Sequence, residues 1–189
     1  KGNNPNNEGV SEYPIASGYA ANIFTGDLVR INAGYLQAIT TVTEIAQGIF
    51  QGVRYTENGE QKFGRYWPSG TSATDIYAMV NDDPSTVFEV QADASVTAGD
   101  LYGSQNFGVT LGAGSTFTGN SGHGIEAALR SSRISMVRAL DPVMEPGNDV
   151  ASATERAFLK LNVRIIQHTD MFMDCAVTAP ATVTDLIFT

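Results

Sequence analysis

Four polar residues near the end of the sequence are the ones best suited to bind a metal ion. His168, Asp170, Asp174 and Cys175 follow one another closely, and in a strand His168 and Asp170 would share a face. A structural zinc site needs four ligands, usually supplied as two close pairs. This segment offers neither a second histidine nor a second cysteine. We therefore predict no metal site here and interpret His168 as a hydrogen-bonded residue at a strand end.

Motifs for nucleophilic catalysis and phosphate binding are missing from the sequence. The segment 119–124, Gly-Asn-Ser-Gly-His-Gly, is rich in glycine, but no Gly-Lys-Ser/Thr sequence exists. There is no Gly-x-Ser-x-Gly motif, and the lone Cys175 with His168 is too little for a thiol nucleophile. We interpret 119–124 as a flexible loop, and we predict no catalytic residues and no cofactor.

Two acidic pairs could in principle supply a general acid and a general base. Asp82 is followed by Asp83, and Asp141 lies four positions before Glu145. Both pairs stand beside prolines in turn sequences, where carboxylates commonly accept hydrogen bonds from backbone amides. No loop has the alternating Asp, Asn and Gly pattern of a calcium site. These residues are interpreted as turn formers, and the protein is predicted not to be an enzyme.

The aromatic residues cluster on one predicted hairpin, which carries Tyr55, Phe63, Tyr66 and Trp67. Such a cluster could form a carbohydrate-binding platform, or it could anchor a hydrophobic core. Trp67 stands beside Tyr66 at the end of an apolar hairpin that Pro68 closes. We therefore predict that Trp67 is buried.

The chain is acidic, with a net charge of −9 and an isoelectric point near 4.5. Such a surface repels phosphate backbones and anionic lipids, so nucleic acid and membranes are poor candidate partners. No apolar run approaches the roughly 20 residues that span a bilayer, and residues 1–12 do not resemble a signal peptide. Arg130, Arg133 and Arg138 form a small basic group, which suits either an acidic neighbouring subunit or an ordinary solvated strand face.

Alternation of apolar and polar residues predicts a series of β-hairpins. Turn-forming residues separate the alternating segments, and no segment of ten or more residues has a helical period. The three predicted hairpins join 28–31 to 36–39 through the turn 32–34, 49–55 to 62–67 through 57–60, and 76–80 to 87–91 through 81–84.

The last third of the chain is more strongly patterned. Residues 134–140 form a candidate strand, and residues 157–168 alternate cleanly, with Leu159, Leu161, Val163 and Ile165 on one face. Residues 103–124 contain seven glycines and are predicted to form a long loop crossed by a short strand at 109–111. Segments 95–102 and 151–158 could each form one or two helical turns.

These patterns predict an all-β protein, a compact β-barrel or β-sandwich of short antiparallel strands. We divide the chain into an N-terminal arm at 1–13, a β domain at 14–168 and a C-terminal tail at 169–189. The arm is too polar to offset the entropy of its own ordering, so it needs a partner to order it. The apolar residues 186–188 are expected to pack against another chain.

The sequence resembles the head decoration and structural proteins of tailed bacteriophages, particularly marine phages, over about residues 13–168. The likeness is carried by strands with their turns, and Asn148-Asp149 lacks the glycine expected after the asparagine. The stretches that carry it are Thr25-Gly-Asp-Leu-Val29, Gly34-Tyr-Leu-Gln37, Gly48-Ile-Phe-Gln-Gly-Val-Arg-Tyr55, Arg65-Tyr-Trp-Pro68, Asp82-Asp-Pro84, Val87-Phe-Glu-Val-Gln-Ala-Asp93, Ile134-Ser-Met-Val-Arg138, Asn148-Asp149 and Leu161-Asn-Val-Arg-Ile165.

The resemblance implies a virion structural protein, a capsid decoration or cement protein that binds the outside of the mature head and stabilises the shell. The implied partners are the major capsid protein and other copies of the chain, as a homotrimer at threefold or quasi-threefold positions. The implied location is the capsid surface of the virion. The alternatives are a head-fibre or tail component and a carbohydrate-binding module.

Overall fold

A computed structural model describes residues 9–103, 106–128, 135–152 and 158–170 of the chain. Strands make up 47% of these residues and helix 5%, which confirms the all-β prediction. The elements are β1 (Val10–Pro14), β2 (Ile23–Phe24), β3 (Leu28–Asn32), β4 (Tyr35–Ala38), β5 (Gly48–Glu57), β6 (Glu60–Gly64), β7 (Tyr66–Trp67), β8 (Thr74–Asn81), β9 (Phe88–Gln91), α1 (Ala98–Gly103), β10 (Asn106–Thr110), β11 (Gly124–Glu126), β12 (Val137–Pro142) and β13 (Lys160–Ile165).

The first sheet is antiparallel, with the strand order β1-β8-β5-β3-β4 and with β6 added beside β5. It contains the first two predicted hairpins, β3–β4 and β5–β6, which are therefore confirmed up to Gly64. Residues 66–67, predicted to continue the second hairpin, form β7 instead, which pairs with β2 in a separate two-stranded sheet. Two-residue turns join the strands of each hairpin. Ala33 and Gly34 adopt positive φ angles in one turn, and Asn58 and Gly59 do so in the other. This is the conformation that follows the right-handed twist of the flanking strands.

Part of the predicted arm belongs to this sheet. Residues 10–13, together with Pro14, form β1, which pairs along its whole length with β8. Arg54 on β5 donates two hydrogen bonds of 2.9 Å to Glu12 and lies 4.4 Å from the centre of the Tyr77 ring on β8. The arm boundary at residue 13 is therefore too late, because a neighbouring strand supplies the hydrogen bonds that the arm alone lacks. Residues 1–8 lie outside the described residues.

The second sheet has the strand order β11-β10-β12-β13-β9 and is also antiparallel. It curls until its two edges meet, where the amide of Asp93 donates to the carbonyl of Ile125 at 2.9 Å and Ala92 bridges Ile125. In β13 the residues Leu161, Val163 and Ile165 are buried while their neighbours are more exposed, as the alternation predicts. The strand predicted at 134–140 is β12, displaced to Val137–Pro142.

The third predicted hairpin is wrong. Its first strand, β8, pairs with β1 and β5, whereas its second, β9, pairs with β13 in the other sheet. Backbone amides of the intervening turn are bonded within the turn, because Asn81 Oδ1 accepts a hydrogen bond from the Asp83 amide and Asp83 Oδ1 accepts one from the Ser85 amide. Pro84 has no amide hydrogen to offer a ladder. The chain therefore leaves the first sheet here and enters the second.

A single turn of helix, α1, begins where one was expected. Its start is capped by Thr97 and Asp100, whose side chains each accept a hydrogen bond from the other's backbone amide. Leu101 is its buried residue. The second helical candidate, 151–158, falls largely on residues 153–157, outside the described part of the chain.

Two hydrophobic clusters hold the described residues together. The first-sheet cluster is built on Phe50 and Trp67, and the second-sheet cluster on Phe107 and Leu159. Leu28, Ile39 and Ala46 come from the first half of the chain but pack in the second-sheet cluster. The two sheets are thereby joined through apolar contacts. The division between β domain and tail at residue 168 stays a prediction, since residues 171–189 are outside the described chain.

Candidate functional site

The most concentrated polar group in the described residues joins the two sheets, and we call it the Asp27 cluster (Asp27, Ser121 and His123). Asp27 lies in the turn between β2 and β3 and is only 4% exposed. Ser121 and His123 lie in the segment between β10 and β11. The Ser121 hydroxyl donates to Asp27 Oδ1 at 2.5 Å, and the amide of Phe24 donates to Asp27 Oδ2 at 2.8 Å. Both carboxylate oxygens therefore have partners despite burial.

The His123 ring contacts two groups of the first sheet. Its Nδ1 accepts a hydrogen bond from the Leu28 amide at 3.3 Å, and its Nε2 lies 3.5 Å from Asp27 Oδ1. These partners assign the ring proton to Nε2. Burial lowers the pKa of His123, and the Asp27 carboxylate opposes that change. The ring is therefore held as a neutral imidazole.

The cluster contains the residue types of a serine hydrolase but not their geometry. In such enzymes the serine hydroxyl donates to a histidine nitrogen that takes up its proton. Here the Ser121 hydroxyl donates to Asp27, and Nδ1 of His123 is occupied by a backbone amide. No lone pair of the imidazole points at the hydroxyl. What this arrangement achieves is to fix the β10–β11 segment against the first sheet.

Further hydrogen bonds fix the same segment, residues 111–123, which we call the Phe117 loop. The Thr25 amide donates to Gly119 at 3.0 Å, and the Ser121 amide donates to Thr25 at 2.8 Å. The Arg65 guanidinium donates to Asn120 Oδ1 at 3.0 Å. The structure therefore differs from the prediction of a flexible loop at 119–124.

The glycines of the Phe117 loop are required by close packing. A Cβ added to Gly112 would lie 2.1 Å from the Gly122 carbonyl oxygen, and one added to Gly114 would lie 2.2 Å from the Phe24 ring. Both distances are far below a normal contact. Glycine here allows two backbone segments and an aromatic ring to touch.

A cavity of about 310 Å³ is lined by residues of both sheets. Its wall is largely apolar, and it includes Val109 of β10 together with Asn120 and His123 of the Phe117 loop. Other lining residues are Leu28, Ile49, Phe88, Val90, Val163 and Ile165.

Of the two interpretations of the aromatic cluster, a platform or a core anchor, the structure shows the core anchor for Tyr55 and Trp67. Trp67 has no exposed surface, and its ring meets Tyr55 edge-on at 5.4 Å. Tyr66 stacks on Phe24 at 5.4 Å, and only Phe63 is largely exposed, at 72%. The prediction that Trp67 is buried is confirmed.

The other candidate residues have structural partners. His168 is buried, and its Nδ1 accepts a hydrogen bond from the Asp170 amide at 3.1 Å. Asp82 accepts from the Tyr13 hydroxyl at 2.6 Å, and Glu145 pairs with Lys160 at 2.8 Å. Within the described ranges no group of three potential ligands could hold a metal ion.

Four of the remaining candidate residues lie outside the described part of the chain. They are Arg130, Arg133, Asp174 and Cys175. Arg138 is exposed on β12.

A second fixed loop was not predicted from the sequence. Asn148 is buried, and its side chain makes three hydrogen bonds of 2.8–2.9 Å, two to the backbone of Lys160 and one to the Val143 carbonyl. The glycine expected after Asn148 stands before it, as Gly147 with φ of 83°. This Met144 loop, residues 143–148, holds Met144 at 96% exposure, while Phe117 is 97% exposed.

No family model, curated protein or solved structure matches the chain. Across the ranges that the structure describes, no helix has the length and apolar character that a membrane crossing requires.

Proposed function

We propose that this protein is a virion structural protein, a decoration protein that binds the outer surface of a tailed-phage head and stabilises the shell. The observation that carries the proposal is the pair of fixed loops with bare apolar tips. Buried polar side chains hold each loop, yet Phe117 and Met144 at the tips are almost fully exposed. Exposed apolar groups of this kind gain free energy when a protein surface covers them.

Fixed loops suit a protein whose task is to occupy a surface. A loop that is already ordered loses little conformational entropy when it binds, so more of the contact energy remains as affinity. A protein that binds only the assembled shell stabilises it by mass action. Several weak contacts on one oligomer act together, so no single strong site is needed. The proposed partners are the major capsid protein and other copies of the chain, as a homotrimer.

The Asp27 cluster supports this proposal over an enzymatic one. Its carboxylate, hydroxyl and imidazole groups bond to one another and to backbone amides of the first sheet. Their chemistry serves to hold a loop. A carbohydrate-binding role loses its main candidate, because Trp67 has no face free to stack on a sugar.

The proposal is tested by locating the protein on the particle. Cryo-microscopy, together with copy counting by quantitative mass spectrometry, should find many copies spread over the outer surface of the head. A few copies at one vertex or in the tail would favour the fibre or tail alternative. Absence from purified particles would refute a virion role.

A further inference from the structure

The tip of the Phe117 loop is uncharged, and its one large apolar side chain, Phe117, is 97% exposed. Residues 101–125 contain no Asp, Glu, Lys or Arg, although the chain as a whole carries a net charge of −9. Copies of so acidic a protein repel one another over most of their surfaces. A neutral loop is a part of the surface where two copies can meet without that repulsion.

The cavity beside the loop is complementary to the loop's tip. An apolar cavity of about 150 Å³ is large enough for benzene, so 310 Å³ accommodates a phenyl ring together with part of its backbone. Its wall is supplied by apolar side chains such as Leu28, Phe88 and Val163. Glu89, which also lines it, is paired with Lys160 at 3.7 Å.

We propose that Phe117 of one copy enters this cavity of a second copy. Phe117 cannot fill its own cavity while the hydrogen bonds from Thr25, Ser121 and Arg65 hold its loop. Among the described residues, each copy therefore carries one knob, Phe117, and one socket, the cavity. When the rotation between successive copies closes, copies joined in this way form a ring in which every such cavity is filled. This contact specifies which residues join the copies of the oligomer proposed above. It rests on the proposed function only for the number of copies in that oligomer.

The first test is sedimentation equilibrium of the full chain between about 10 µM and 1 mM. Phe117→Ser should raise the dissociation constant of self-association at least about tenfold. The matched control is Phe63→Ser, which removes another phenylalanine, 72% exposed on β6, and should leave association unchanged. A wild-type protein that stays monomeric throughout, or a Phe117→Ser variant that associates like the wild type, would overturn the proposal.

The second test is complementation. Val90→Trp fills the socket but keeps the knob, while Phe117→Ser keeps the socket but loses the knob. Each variant alone should be monomeric, and a mixture should form dimers and nothing larger. A mixture that stays monomeric, with both variants folded by circular dichroism, contradicts the knob-and-socket contact.

Should Val90→Trp fail to fold, a peptide of residues 113–121 replaces it. The peptide should dissociate the wild-type assembly, and the same peptide with serine in place of Phe117 should not. Equal effects of the two peptides would refute the contact. All these measurements use protein without particles, so their failure is separate from a failure to bind the shell.

Discussion

His123 can make its contact with Leu28 only as a neutral ring, because the Nδ1 lone pair accepts the Leu28 amide hydrogen. A second ring proton would sit on that nitrogen and break the bond. Burial lowers the pKa of His123 below its usual 6.5, although Asp27 favours the charged form. The hydrogen bond from the Leu28 amide to His123, which helps to fix the Phe117 loop, is therefore lost when the ring is protonated at low pH.

The sign of the pH dependence follows from the lowered pKa. As pH falls through about 6.5, histidine in the unfolded chain binds a proton before His123 in the folded chain does, so the free energy of unfolding decreases. In His123→Asn the Asn Oδ1 takes the place of Nδ1 and does not titrate. Urea unfolding of both proteins from about pH 7 to about pH 5 should show the wild type losing stability relative to the variant. A constant difference between the two would contradict this account of His123.

Trp67 is the residue whose loss should cost the most stability in the first-sheet cluster. It has no exposed surface and contacts Tyr55 edge-on. Replacing Trp67 with Ala should lower the free energy of unfolding by about 3–5 kcal/mol. Phe63→Ala removes an exposed aromatic from the adjacent strand and should change it by less than about 0.5 kcal/mol. Similar losses for the two variants in denaturant unfolding would show that Trp67 is not a core anchor.

Residues differed in how far the sequence could predict them. The burial of Trp67 was predictable because Trp67 follows Phe63 and Tyr66 in an apolar segment, although its strand β7 pairs with β2 and not with the β5–β6 hairpin. The Asp27 cluster was not, since Asp27 and Ser121 lie 94 positions apart and meet only because the two sheets pack together. A glycine-rich segment looks flexible in sequence, yet Gly112 and Gly114 are glycine because other groups touch them.

At the scale of elements, hairpins with two-residue turns were predictable and other strand pairings were not. Asn58-Gly59 carries its own turn conformation, so β5 and β6 pair locally. The turn at 81–84 has equally strong turn residues, but its side chains accept the amides that would otherwise extend a ladder. Turn residues alone did not reveal which strand comes next to β8.

The strand β1 leads to a prediction about truncation. Deleting residues 1–14 removes five paired residues and the Glu12–Arg54 pair, and it leaves the edge of β8 without a partner. At about 1 kcal/mol for each net hydrogen bond, the loss should be on the order of 3–5 kcal/mol. Deleting only residues 1–8 keeps every contact described above. Thermal and urea unfolding that affect both truncations equally would refute the structural role of β1.

Asn148 gives a second prediction at this scale. Asn148→Ala leaves the Lys160 amide without its acceptor and removes one of the two donors to the Val143 and Lys160 carbonyls, which should cost about 1–3 kcal/mol. Asn148→Asp keeps the acceptor for the Lys160 amide and loses the two donated bonds. Hydrogen exchange at the Lys160 amide should therefore speed up more in the Ala variant than in the Asp variant. Exchange that is unaffected by Asn148→Ala would show that another group fixes the Met144 loop.

At the scale of the whole molecule, the fold class was predictable and the arrangement of the sheets was not. Alternation is a local property, and it correctly indicated strands such as β13. The closure of the second sheet depends on Ala92 meeting Ile125, and the joining of the sheets depends on Leu28 packing in the second-sheet cluster. Such contacts are set by the packing of distant segments, which no local pattern encodes.

If the protein decorates a phage head, the segment before β1 is available to contact neighbouring proteins of the shell. Residues 1–8 precede β1, and fully extended they could reach about 26–29 Å, since each residue spans at most about 3.3–3.6 Å. That reach is sufficient to contact a neighbouring protein on the shell. The arm is therefore predicted to contribute to binding of the particle, although residues 10–13 belong to the fold.

Re-addition of purified protein to shells stripped of it tests the central claim most directly. The measurement is the number of copies bound per shell as a function of protein concentration, for the full chain and for the chain lacking residues 1–8. The account predicts saturable binding of many copies and lower occupancy for the truncated chain at limiting concentration. Equal occupancy of the two proteins would reject the arm as an anchor. Failure of the folded full chain to bind the shell at any concentration would contradict its assignment as a decoration protein.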